Sequence, residues 1–177
     1  MVIFHGSSNR FSSYPGKEIT MDVKIPFTLH IAQSGDIPAW MSLVDLVKEN
    51  FPGLDMEDYQ RTLEKNIARG TTLCAKADDQ VIGVLLYSPK AGCLSCMAVH
   101  PKYRKMGVGA ALVRMMIERF PEDSDITVTT FREGNPMGFA PRALYKKLGF
   151  KEDELTLEFG YPTQKFIYRQ AGKQQND

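Results

Sequence analysis

The sequence predicts one mixed α/β domain, and three observations carry that expectation. Strand-like and helix-like segments alternate from Phe27 to Tyr168. Near the middle, the small and apolar run Gly92 to Val99 passes through a basic turn into a helix opened by Gly107 and Gly109, which reads as a strand followed by its crossover helix. The 177 residues are 43% hydrophobic, enough to bury one good core, and no linker is long enough to divide them.

The elements follow in order. Residues 1–20, rich in Ser, Gly and Tyr and without a clear period, are expected to be an extension, with Met21 as an alternative start, and residues 171–177 a polar tail, leaving 21–170 as the domain. Phe27 to Ala32 reads as a first strand. Asp36-Ile37-Pro38 opens a helix running toward Glu49, with Trp40, Leu43, Val44 and Val47 on its buried face. Phe51-Pro52-Gly53 interrupts the pattern. Met56 to Arg69 resumes it with Tyr59, Leu63 and Ile67 at i, i+4, i+8 and stops at Gly70. Thr71 to Lys76 and Val81 to Tyr87 read as strands around Asp78-Asp79-Gln80.

His100-Pro101 ends the central strand, because proline cannot donate to a ladder. In the helix that follows, Val108, Ala111, Leu112, Met115 and Met116 share one face, and Arg114 and Glu118 turn away. Ile126 to Phe131 is a further strand, Arg132 to Ala140 a loop, and Pro141 to Gly149 a short helix. Leu155 to Phe159 and Lys165 to Tyr168 form a final hairpin around Gly160-Tyr161-Pro162.

The chemistry is concentrated in M-A-V-H-P-K-Y-R-K-M-G-V-G-A-A-L, Met97 to Leu112. The first N–H groups of a helix lack intrahelical partners and carry the positive end of its dipole, so an anion placed there gains several hydrogen bonds. Three phosphate motifs compete. A P-loop needs Lys followed by Ser or Thr after its last glycine, where this chain has Ala110-Ala111. A dinucleotide fingerprint needs a third glycine at Leu112. What remains, R-K-M-G-V-G from Arg104 to Gly109, resembles the R/Q-x-x-G-x-G/A signature of the GNAT superfamily of acetyl-CoA-dependent N-acetyltransferases, and A-L-Y-K-K-L-G-F from Ala143 to Phe150 resembles that family's A-x-x-L-Y-x-x-L-G-F motif. Glycines that only let a helix pack closely are the competing explanation.

The resemblance covers about Phe27 to Arg169. It implies a mostly antiparallel mixed sheet, splayed at its centre and flanked by helices, and direct transfer of an acetyl group from acetyl-CoA to a primary amine without a covalent enzyme intermediate. By the same resemblance, the backbone of Met97, Ala98 and Val99 pairs with the pantetheine arm. Arg104, Lys105, Met106, Gly107, Val108, Gly109 and Ala110 cradle the pyrophosphate, Asn135 reaches the coenzyme, and Tyr145 protonates the departing thiolate. Two departures stand out. Gly138 occupies the position of a common Asn, and neither Cys93 nor Thr130 supplies the glutamate that relatives use as a base; Glu133 is the nearest substitute, and a water relay would remove the need for one. The acceptor side corresponds to Phe51 to Tyr59 and Phe159 to Thr163, where Asp55, Glu57 and Asp58 either attract a cation or serve the start of a helix. The resemblance implies a small-molecule or peptide amine as acceptor, without saying which. The alternative function is a catalytically silent acyl-CoA-binding module.

Composition excludes little but points consistently. A formal net charge of +1 gives no argument for nucleic acid or an anionic membrane as partner. No apolar run approaches the roughly 20 residues of a membrane span and no secretory stretch opens the chain, so a cytoplasmic protein is expected; a homodimer is left open. Cys93-Leu94-Ser95-Cys96 with His100 suggests half a metal site, but only Cys74 remains among the cysteines and a structural zinc takes about four ligands. In a regular strand Cys93 and Cys96 face opposite sides, so no metal is expected and His100 reads as a turn residue.

Overall fold

The computed structural model describes residues 26–158 and 160–170; the expected extension, the expected tail and Phe159 lie outside them. Seven strands form one open sheet: β1 (Thr28–Ile31), β2 (Thr72–Ala77), β3 (Gln80–Ser88), β4 (Cys93–Val99), β5 (Asp125–Phe131), β6 (Lys151–Glu158) and β7 (Tyr161–Arg169). Their spatial order is β1-β2-β3-β4-β5-β7-β6, and every neighbouring pair is antiparallel except β4 and β5. This is the mixed, mostly antiparallel sheet that the family resemblance implies.

Helices cover both faces. On one, α1 (Ile37–Leu46) and α2 (Met56–Ala68) bury Trp40, Leu43, Val44 and Leu63 against Cys74, Val84, Leu86 and Ala98. On the other, α3 (Val108–Ile117) and α4 (Phe139–Lys147) bury Val108, Leu112, Met116 and Tyr145 against Leu85, Met97, Val128 and Phe166. Among the described residues no helix is long and apolar enough to cross a membrane.

Three elements differ from the sequence expectation. α1 stops at Leu46, and a 3₁₀ turn over Lys48–Asn50 follows; the earlier turn lets both Val47 and Phe51 pack in the same core. β6 begins at Lys151, four residues early, because this edge strand carries exposed Lys151, Glu152, Asp153 and Glu154 and shows no apolar alternation. Of the expected turn Gly160-Tyr161-Pro162, Gly160 turns with φ +80°, whereas Tyr161 and Pro162 already belong to β7. Pro162 sits near the start of that strand, where a missing N–H is tolerated.

One irregularity positions the site. Along β3 and β4, Leu86 faces Cys96 and Tyr87 faces Leu94, so β4 carries one extra residue at Ser95, a bulge that bends the strand. β4 and β5 are bridged only at Cys93 and Thr127, near their N-terminal ends. Beyond that bridge the two parallel strands part, and the sheet opens along the edge of β4 that leads to Val99 and α3.

Candidate active site

The mouth of this opening is built by the turn between β4 and α3. His100 caps a 3₁₀ turn over Pro101–Tyr103, its Nδ1 accepting the Lys102 N–H at 3.3 Å. Burial first, then Lys102 and Arg104, lowers the His100 pKa, so it is a neutral turn residue at pH 7. Lys105 and Gly107 take left-handed backbone with φ +62° and +86°. The first bond of α3 runs from the Ala111 N–H to the Gly107 carbonyl at 2.9 Å, so the N–H groups of Val108, Gly109 and Ala110 have no partner within the helix and point out of its positive end.

Close packing explains a glycine of β3 and not Gly107. A Cβ on Gly83 of β3 would lie 2.6 Å from Val108 Cγ1 and 3.0 Å from Leu112 Cδ1, so Gly83 is what lets α3 approach the sheet. A Cβ on Gly107 would meet nothing within 4 Å. Gly107 therefore serves its positive φ and leaves room in front of the helix.

Val99, Arg104, Lys105, Gly107, Val108, Gly109 and Ala110 all line one cavity of about 250 Å³, closed from the other side by Leu144 and Lys147 of α4. The structure brings these sequence-predicted residues together. Met97 and Ala98 are buried neighbours on β4 facing opposite cores, so only their backbone is available to the parted edge. Met106 is exposed on the turn. Arg104 Nε donates to the Val99 carbonyl at 3.3 Å, and burial lowers the pKa of its guanidinium. Asn135 is not part of this cavity: its Oδ1 caps the 3₁₀ turn Pro136–Gly138 by accepting the Met137 N–H at 3.0 Å.

Tyr145 projects from α4 into the core between Phe150 and Phe166, with ring centroids 5.5 and 5.9 Å away. Its side chain is fully buried, yet among the described residues its hydroxyl has no hydrogen-bond partner. Burial first, then the nearby Cys96 thiol, raises its pKa well above that of a free phenol, so the hydroxyl keeps its proton. From the opposite face of the sheet, Tyr59 OH approaches Cys96 Sγ at 3.7 Å and accepts the Trp40 indole N–H at 3.0 Å. Tyr59 thus reaches the bulged part of β4, and the Cys96 thiol there also acts electrostatically on Tyr145. Spacing marked Tyr59 and the L-Y-x-x-L-G-F resemblance marked Tyr145; neither signal shows their shared neighbour Cys96.

The expectation that Cys93 and Cys96 face apart assumed a regular strand, and the extra residue at Ser95 breaks that alternation. The thiols nevertheless have different neighbours, Ser95 Oγ for Cys93 and Tyr59 OH for Cys96. Among the described residues the group spaced to hold a metal is instead His30, Asp36 and Cys74, with ligand atoms within 4.8 Å of one another. Asp36 there already pairs with the Lys76 ammonium at 2.5 Å.

On the α1–α2 side, a cavity of about 340 Å³ is walled by Phe51, Leu54, Tyr59, Leu86 and Cys96, with Asp55 and Asp58 at its rim. Both carboxylates have structural tasks: Asp55 Oδ1 caps α2 by accepting the Asp58 N–H at 2.8 Å, and Asp58 pairs with Arg61 at 2.5 Å. Glu57 is 3.8 Å from Arg61, and Glu133 is exposed on its loop.

A sheet opened beside a bulged strand, with a glycine-started helix at its mouth, defines a mixed α/β fold with an anion site at the end of its central strand. Residues 40–150 match the model of the GNAT acetyltransferase family, and the chain belongs to that family. Its fold is similar to that of a GNAT acetyltransferase from Bacillus cereus ATCC 10987, with a TM-score of 0.68 and 18% identity over 83% of this chain and 99% of that one. The ribosomal-protein-S18-alanine N-acetyltransferase of Escherichia coli gives 0.65 and 17% over 86% and 99%. YncA from Salmonella typhimurium, solved with its cofactor acetyl-CoA, gives 0.64 and 15% over 85% and 98%. No curated protein sequence matches the chain.

Proposed function

We propose that this protein is an N-acetyltransferase that moves the acetyl group of acetyl-CoA directly to a primary amine of a small molecule or peptide. The observation that carries the reading is the Tyr145 hydroxyl, buried, protonated and, among the described residues, unpartnered. A buried polar hydrogen without an acceptor costs stability, so its retention supports a partner that arrives with a ligand.

The residues present fit the coenzyme. The free N–H groups of Val108 to Ala110, with Lys105 and Lys147, would hold its pyrophosphate. The parted backbone edge of Met97 to Val99 would pair with the amide-bearing arm, and the space before Gly107 admits the phosphates. Bound there, acetyl-CoA supplies an activated thioester. Tyr145 then donates its proton as thiolate character develops, which a phenol with a raised pKa does without ionising beforehand. The acceptor enters from the α1–α2 side. Peptide acceptors are consistent with two structural neighbours, the ribosomal-protein-S18-alanine enzyme and a NatC complex bound to Gag peptide and CoA.

The test is thiol release from acetyl-CoA across a panel of primary amines, alongside calorimetric titration of acetyl-CoA. Binding with amine-dependent release is expected. Binding without release for any amine would make the chain an acyl-CoA-binding module, and absence of binding would remove the reading altogether.

A further inference from the structure

We propose that the Glu158 carboxylate receives the ammonium group of the acceptor and takes its proton, acting as the general base of the transfer. The inference rests on the acetyltransferase reading above. Glu158 ends β6, two strands from β5 in the sheet, and no sequence motif marks it. In the fold it closes a cavity of about 390 Å³ directly over the single β4–β5 bridge, together with Cys93, Ser95, Thr127 and Thr129. The other polar groups of that lining are hydroxyls and a thiol, so Glu158 is its one formal charge.

The remaining acids of β6 are committed elsewhere. Glu152 pairs with Arg142 and with Lys146 at 2.8 Å, and Lys165 holds Asp153 at 3.0 Å and Glu154 at 2.5 Å. Glu158, half-buried, has no ion-pair or hydrogen-bond partner among the described residues. A carboxylate held without a cation at the rim of a polar cavity is a receptor for one. Ser95, the bulged residue, lines both this cavity and the apolar one walled by Phe51, Leu54 and Leu86. An acceptor lying across Ser95 therefore sets an apolar group against those side chains and its nitrogen under Glu158, on the side where β4 and β5 begin to part.

The protons balance in this arrangement. The acceptor ammonium gives one proton to the Glu158 carboxylate, and the freed nitrogen lone pair forms the C–N bond to the thioester carbonyl carbon. The C–S bond breaks with its electron pair on sulfur. Sulfur receives the Tyr145 proton, and Tyr145 is restored by the second proton lost from nitrogen. One proton is left on Glu158, from which the half-exposed carboxyl returns it to water.

The experiment titrates n-propylammonium, phenethylammonium and alaninamide into the 177-residue protein and its Glu158→Gln variant, followed by NMR at pH 6.5. At least one ion is expected to bind the wild type, with affinity reduced about tenfold or more in the variant. Equal affinities, or no binding of any of the three to the wild type, would overturn the proposal. For an ion that is acetylated, kcat/KM is followed from pH 6 to pH 9. The variant is expected to lose most at low pH and to recover about tenfold per pH unit as the free amine forms; a loss of equal size at every pH would also overturn it. Acetyl-CoA binding, measured calorimetrically in both proteins, checks the folded site independently: its absence from the wild type would sink the acetyltransferase reading, while the ammonium titration still judges Glu158.

Discussion

The Trp40 indole N–H donates to the Tyr59 hydroxyl at 3.0 Å and so fastens α1 to α2 across their shared core. An indole only donates, so the phenol oxygen must accept, and the Tyr59 hydrogen is left for Cys96 Sγ at 3.7 Å or for a ligand in the adjoining cavity. Burial, reinforced by the Cys96 thiol, holds the Tyr59 pKa well above the usual phenol value, so this donor keeps its proton. Tyr59→Phe keeps the ring but orphans the Trp40 N–H. Stability should fall by about 1–3 kcal/mol in urea unfolding, and an unchanged midpoint and slope would show that the indole finds another acceptor.

Tyr145→Phe is expected to act in the opposite direction on stability. It removes a buried hydroxyl that has no partner, so the variant should be as stable as the wild type or up to about 1 kcal/mol more so. Turnover should fall on the order of 10²-fold with acetyl-CoA affinity little changed. Stopped-flow measurement of the transfer step separates this from slow product release; equal rates would return Tyr145 to a purely structural role.

The glycines of β3 and α3 should separate by phenotype. Gly107→Val and Gly109→Val fill the cradle or strain its turn, and both should abolish acetyl-CoA binding in calorimetry. Gly83→Ala should instead cost about 1–3 kcal/mol of stability, because its Cβ would lie 2.6 Å from Val108 Cγ1. Acetyl-CoA affinity per folded molecule should be closer to wild type for Gly83→Ala than for either valine variant.

Asp36 makes the fold acid-sensitive. Burial alone would raise its pKa, but Lys76, the Gln33 N–H and His30 more than offset that and hold it below the ordinary 3.8. A folded-state pKa below the unfolded one stabilises the fold fully above the unfolded value, and that contribution is lost as pH falls through the folded value. Asp36→Asn should therefore be less stable than wild type at pH 7, with the gap closing below about pH 4. Urea titrations at pH 7, 4 and 3 check this, and a gap independent of pH would show that charge is not the cause.

Much of the site was legible in the chain because its signals are local. The glycine-opened helix, the stop at His100-Pro101 and the apolar faces of α2 and α3 each lie within one or two turns of sequence, where spacing and backbone preference act directly. Tyr145 was legible through the L-Y-x-x-L-G-F pattern, although its missing hydrogen-bond partner was not. Asp55 shows the limit of a local signal, since the same carboxylate fits an acceptor rim or a helix cap, and the Asp58 N–H on its Oδ1 shows the capping role.

What tertiary structure alone decided is non-local. The bulge at Ser95 exists only as a mismatch in register between β4 and β3, and the parting of β4 from β5 only as pairing that stops after Cys93 and Thr127. Edge strand β6 was read short because one exposed charged end carries no alternation to detect. Glu158 enters the cavity over β4 and β5 by a route across β7, joining residues more than sixty positions apart in sequence. Helix periodicity and turn chemistry are set by atoms a few residues apart, whereas register, parting strands and a carboxylate without a partner depend on which surfaces the whole core brings together.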